Sequence, residues 1–90
     1  MDQQTRALKI AKDLGLNYES HKSQIDDIAL YVYKIKYLKQ LLAIHGSIHP
    51  VTLSNAQLGI RRLREKIKED PLFYSYLTKT IDPVYKPAFL

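Results

Sequence analysis

Residues 20–45 carry apolar side chains on two opposite sides of one helix, and a helix of that kind cannot be satisfied by a single neighbour. One stripe runs Ile25, Ile28, Val32, Ile35, Leu38, Leu42, with Lys39 as an interruption. The other runs Leu30, Tyr33, Tyr37, Leu41, Ile44, nearly opposite the first. The polar lanes between them are narrow and mostly basic, with Lys22, Lys36 and Gln40 on one side and Lys34 on the other. The segment reads as the central helix of a small bundle, covered on two sides.

The flanking segments supply that cover. Asp2 or Thr5 caps a first helix over about 3–14 that offers Ala7, Ile10, Ala11 and Leu14 on one face; Gly15 follows as a left-handed terminator, with Leu16 as its apolar contact. Ser20 or Ser23 caps the central helix, about 21–45, with Asp26 and Asp27 suiting the positive end of its dipole. Gly46 and Pro50 close it in a turn, and a reversal there makes an antiparallel hairpin with a third helix. Thr52 or Ser54 caps that helix, about 53–69, whose stripe is Leu53, Ala56, Ile60, Leu63 and Ile67; Leu58 is an apolar exception on its polar side. Asp70-Pro71 starts a short fourth helix, about 71–81, offering Phe73, Leu77 and Ile81, and Asp82-Pro83 stops it. An extended tail, 82–90, holds Tyr85, Phe89 and Leu90. The fold class is all-α: one domain, 1–90, of three main helices plus a short fourth.

Composition narrows the function classes. No apolar run approaches the ~20 residues of a membrane span, and the N-terminus lacks the basic start and apolar core of a signal peptide. Cysteine is absent, which excludes disulfides and thiol chemistry and fits an intracellular setting, cytoplasmic or organellar. There is no glycine-rich phosphate loop and no nucleophile elbow. Asp26 and Asp27 diverge by ~100° on a helix and form no close dyad. An enzyme is not expected, nor a cofactor. His45 and His49 have the spacing of a helical zinc pair, but Gly46 and Pro50 break the helix and no third ligand is evident, so no metal is expected either.

Fourteen basic against nine acidic residues give a net charge of +5, the footprint of a nucleic acid or acidic partner. On helix three, Arg61, Arg64 and Lys68 form one lane and Arg62 and Lys66 another edge, a pattern that suits phosphate contact or a solvated face laced by pairs such as Arg61 with Glu65. Seven tyrosines include Tyr31, Tyr33 and Tyr37 on the central helix, an aromatic row that either packs with its hydroxyls at the rim or stacks on bases.

Two stretches resemble known families. Arg6 to Ile25, RALKIAKDLGLNYESHKSQI, looks like a helix-turn-helix of transcription regulators: Ala11, Gly15, Asn17, Ser20 and Ile25 fit its pattern, while His21 stands where that motif buries valine or isoleucine. The resemblance implies DNA contact in which Asn17 and Lys22 matter. Over nearly the whole chain, Lys9-Ile10, Gly15, Ser23, Ala29-Leu30, Ile35, Leu38, His45 and His49 fall in step with protein fifteen of the small ribosomal subunit. Asp70, Tyr74, Leu77 and Ile81 do so as well. That resemblance implies a helical RNA-binding fold that holds a junction in small-subunit rRNA through the turn between helices two and three and the start of helix two. The family's Asp-Thr-Gly-Ser before helix two is here Ser20-His21-Lys22-Ser23. Its first turn histidine is Leu41, and its Lys-Lys-Asp is Gly46-Ser47-Ile48.

The leading expectation is a structural RNA-binding protein with Ser23, His45, His49, Arg61, Arg62, Arg64 and Lys68 as its contacts. The alternative is a protein–protein module, such as a viral or mobile-element assembly or inhibitory factor. It would bury Leu30, Tyr33, Tyr37, Leu41, Tyr85 and Phe89 against a partner, a second copy of the chain included.

Overall fold

The computed structural model describes residues 2–85. In chain order it contains α1 (Gln3–Leu14), a 3-10 turn (Glu19–His21), α2 (Lys22–His45) and α3 (Pro50–Lys68). These are followed by α4 (Pro71–Tyr76), a π turn (Leu77–Ile81) and α5 (Asp82–Tyr85). No strand occurs among the described residues.

The helix ends follow local chemistry. Asp2 caps α1 by accepting the Thr5 amide at 2.7 Å. At the other end Gly15 is left-handed at φ 67°, its amide donating to the Lys12 carbonyl and the Leu16 amide to that of Ala11. Gly46 terminates α2 in the same conformation at φ 73°. Asp70 caps α4 through the Leu72 amide at 3.1 Å, with Pro71 in the first turn.

Three ends depart from expectation. Neither Ser20 nor Ser23 caps α2; the chain makes a 3-10 turn first, and α2 begins after His21, whose φ of −129° breaks the helical path. The His21 ring packs against Phe73, with centroids 6.0 Å apart, and the backbone of the Arg6–Ile25 stretch breaks at His21, between the 3-10 turn and α2. Helix α3 starts at Pro50, ahead of Thr52 and Ser54: His49 is the N-cap, its Nδ1 accepting the Val51 amide at 3.2 Å, and Pro50 occupies a position where no amide is needed. The third departure is Pro83. It does not stop the last helix, because the preceding turn widens to π geometry, with the Asp82 amide donating to the Leu77 carbonyl five residues back. That widening relieves the clash a proline ring makes with the carbonyl four residues before it. Helix α5 therefore replaces the start of the expected extended tail, and residues 86–90 of that tail lie outside the described residues.

The core gathers around the first stripe of α2. Ile25, Ile28, Val32, Ile35 and Leu38 are buried, with Ala7, Ile10 and Ala11 from α1, Ile60 and Ile67 from α3, and Phe73, Leu77 and Ile81 from the last segment. Side chains of this size contribute ~1.5–3 kcal/mol each when fully buried. Leu42, the last member of the stripe, is 45% exposed. Contacts between α2 and α3 run in opposite senses along the chain (Lys34 with Gly59, Tyr31 with Arg64, Asp27 with Lys66), so the two helices form the expected antiparallel hairpin.

Tyr31 is the largest fully buried side chain, and its hydroxyl is the polar centre of the bundle. It donates to Asp82 Oδ1 at 3.1 Å and accepts from Arg64 Nη1 at 3.1 Å, while Arg64 Nη2 meets Asp82 Oδ2 at 2.8 Å. The Arg64 guanidinium also lies over the Tyr74 ring, 5.7 Å from its centroid. Burial, with the Asp82 charge behind it, pushes the Tyr31 phenol up to about 12. The folded state thus holds this proton more tightly than a free phenol near 10 does, so the contribution is complete below pH 10 and is lost as pH rises towards 12. Asp82→Ala leaves a half-buried guanidinium and a buried phenol without their acceptor and is expected to cost about 2–3 kcal/mol in urea unfolding. Tyr31→Phe should cost about 1 kcal/mol. The same substitution should also flatten the loss of stability between pH 10 and 12.

Candidate nucleic-acid interface

Charge is segregated along the hairpin. From Ile28 to Arg64 there is no Asp or Glu; all nine acidic residues of the chain lie outside this span. Within it fall Lys34, Lys36, Lys39, Arg61, Arg62 and Arg64, with His45 and His49 at the turn. Among the described residues the ion pairs are Arg64–Asp82 and Lys66–Asp27, at 2.8 and 3.1 Å. Lys34, Lys36, Lys39, Arg61 and Arg62 have no carboxylate partner there.

The expected contacts separate into three groups. Arg61, Arg62, His45 and His49 are exposed on the acid-free span. His49 already uses Nδ1 to cap α3, which leaves Nε2 for an outside group. Arg64 belongs to the second group: its guanidinium is committed to Asp82 and Tyr31, and the short bonds to Asp82 push its pKa further up. Its place in the Arg61–Arg64–Lys68 lane is therefore structural, since a partner hidden in α5 cannot be read from spacing along α3. Ser23 and Lys68 form the third group. Ser23 is exposed at the start of α2 and lines a groove with Asp27, Lys66, Glu69 and Asp70, where Lys66 is paired with Asp27 and the remaining carboxylates disfavour phosphate. Lys68 is exposed beside Glu69 in sequence and one turn from Glu65. Ser23 and His45 are about 33 Å apart along α2 at 1.5 Å per residue, so one compact site cannot hold both.

Lys34 is the residue that helical spacing alone does not single out. Its ammonium lies over Gly59, 3.9 Å from where a β-carbon on that glycine would sit. This carries the charge across from α2 onto α3, one turn from Arg62. Nothing in the sequence marks it, since its neighbour on α3 is twenty-five positions away. The 3.9 Å spacing is ordinary van der Waals contact, and Gly59 needs no positive φ.

The second α2 stripe adjoins this basic surface and has little cover. Tyr33, Tyr37 and Ile44 are 54%, 50% and 65% exposed, and Leu30 and Leu41 are half-buried. The expectation of cover on both sides is met on one side only among the described residues, because α4, the π turn and α5 all join the first stripe. Tyr85 is half-buried and accepts a bond from Arg6 Nη2 at 2.7 Å, which places it in an intramolecular contact. Phe89 lies outside the described residues.

No helix among the described residues is long and apolar enough to cross a membrane. No three His, Cys, Asp or Glu side chains among them are grouped to hold a metal. Compared with known proteins, the chain matches no family, no curated protein and no solved structure. Gly59→Ala, which meets no clash and removes a helix-interior glycine, is expected to raise stability by about 0.5–1 kcal/mol in thermal or urea unfolding.

Proposed function

We propose that this chain is a non-enzymatic RNA-binding protein that grips the phosphate backbone of structured RNA with the acid-free part of its α2–α3 hairpin. The observation that carries the reading is the coincidence of an acid-free span with exposed basic groups that lack carboxylate partners. A rigid antiparallel hairpin presents these groups at fixed positions, which favours backbone contact over a flexible basic tail's diffuse attraction. Arg62 and Lys34 supply charge across the two helices, Arg61 extends it along α3, and the exposed His45 and His49 supply donors at the turn. The residues shared with the small-subunit ribosomal family point to the same turn, and a junction in small-subunit rRNA is the finer reading that this likeness suggests. Ser23, in its acidic setting, drops out of the proposed contacts, and Arg64 is retained only as a fold residue.

The test is binding of a labelled RNA helical junction by anisotropy across a salt series. Removing one cation that pairs with a phosphate should lower the slope of log affinity against log salt by about 0.9 for duplex-like RNA. Arg61→Gln with Arg62→Gln should weaken binding about tenfold or more at low salt and flatten the slope, with thermal stability unchanged. Ser23→Ala should leave binding as it was. Binding that survives the paired arginine change, or that is absent at low salt, overturns the proposal.

A further inference from the structure

The second stripe of α2, uncovered among the described residues, has a shape and a charge frame of its own. From Leu30 to Ile44 it runs about 21 Å, four helical turns, which matches one facing helix of similar length. At its edge, where the first turn of α1 meets α2, there is a cleft of about 200 Å³ between Arg6, Val32, Tyr33, Lys36 and Tyr37. That volume takes one large side chain as a knob. Tyr33 and Tyr37, one turn apart, stand as its aromatic wall, the kind of side chain that carries binding energy at protein interfaces.

The flanks decide the occupant. Lys34 borders the stripe on one side, and Lys36 with Arg6 on the other. Asp2 also reaches the cleft and keeps its negative charge while it caps α1, but Lys34, Lys36 and Arg6 outnumber it along the stripe. Asp26, just before the stripe, accepts the Tyr18 hydroxyl at 2.7 Å. A second copy of this chain would set lysine against lysine along both flanks, in a molecule already at +5. We infer that the Leu30–Ile44 face docks an amphipathic helix of a partner protein, with an apolar stripe for the tyrosine wall, one bulky apolar knob for the cleft, and Asp or Glu on both flanks. This surface shares Lys34 with the proposed RNA contacts but none of the arginines of α3, so the Arg61 and Arg62 changes separate the two.

The probe is a synthetic helical peptide of about 18 residues carrying a Leu/Phe stripe flanked by Glu, compared with the same stripe flanked by Lys. Titrated into labelled full chain and followed by amide shifts, the Glu-flanked peptide should perturb residues 30–44 and the first turn of α1. The Lys-flanked peptide should bind at least about tenfold more weakly. Tyr33→Ser with Tyr37→Ser should weaken the Glu-flanked peptide about tenfold or more. Both tyrosines are half exposed, so circular dichroism should show an unchanged fold. Lys34→Glu with Lys36→Glu should reverse the preference between peptides, whereas Arg61→Gln with Arg62→Gln should leave it intact. Equal affinity for both peptides, or none for either, overturns the inference, as does concentration-dependent dimerisation that the tyrosine changes abolish. Binding to phosphatidylglycerol vesicles or to the RNA junction that the same tyrosine changes abolish, with no peptide bound, overturns it too.

Discussion

One carboxylate holds the last described segment in place. Asp82 is met by both guanidinium nitrogens of Arg64 on α3 and by the hydroxyl of Tyr31, the largest fully buried side chain, on α2. Without that meeting point, α5 has no buried residue of its own, and the hydrophobic contribution of its predecessor ends at Ile81. The ion pair is only partly shielded, with side-chain exposures of 22% and 9%, so its value lies as much in direction as in attraction. It fixes which way the chain leaves the core. Tyr85 then meets Arg6 and ties the end of the described chain to α1, and Tyr76 does the same through Asp13 at 2.8 Å.

The bundle is legible in the sequence because its helices obey simple rules. Regular 3–4 spacing in α1, α2 and α3 identifies most of the core, and Asp2, Gly15, Gly46 and Asp70 mark helix ends through chemistry local to a few residues. Some departures turn on a partner distant in sequence or on a backbone form with no side-chain signature, whereas the start of α3 turns on a local signal with two readings. Pro83 reads as a stop because a π turn has no composition of its own. Tyr31 falls within the first apolar arc, at helical spacing from Ile28, Ile35 and Leu38, so its burial is legible; its acceptor, fifty-one positions away, is not. His49 is not recognisable as the cap of α3 as long as Pro50 reads as the end of α2, although that proline is equally the start of the next helix.

The candidate surfaces are legible to a lesser degree. Periodicity groups Arg61, Arg64 and Lys68 as equals, and the fold divides them: one exposed on the basic span, one bound into the core network, one among acidic neighbours. What periodicity does not convey, a plain count of carboxylates along the chain does, because charge segregation is a property of long segments and helical wheels look at short ones. Desolvation and pairing remove charge from the surface silently. Only the three-dimensional arrangement of partners separates a cation that is available from one that is already answered.

The π turn has a further meaning in terms of chain length. It is one residue more than an α-helix needs to cover the same path. Everything before it keeps the register that turns Phe73 and Leu77 inward, and everything after it is rotated by about 100° relative to an uninterrupted helix. The single spare residue brings Asp82 round to face Arg64 and Tyr31, and the contacts with them then hold it there. A one-residue change in length between Leu77 and Ile81 would turn α5 by about 100° about the helix axis while leaving the identity of every core side chain before it untouched.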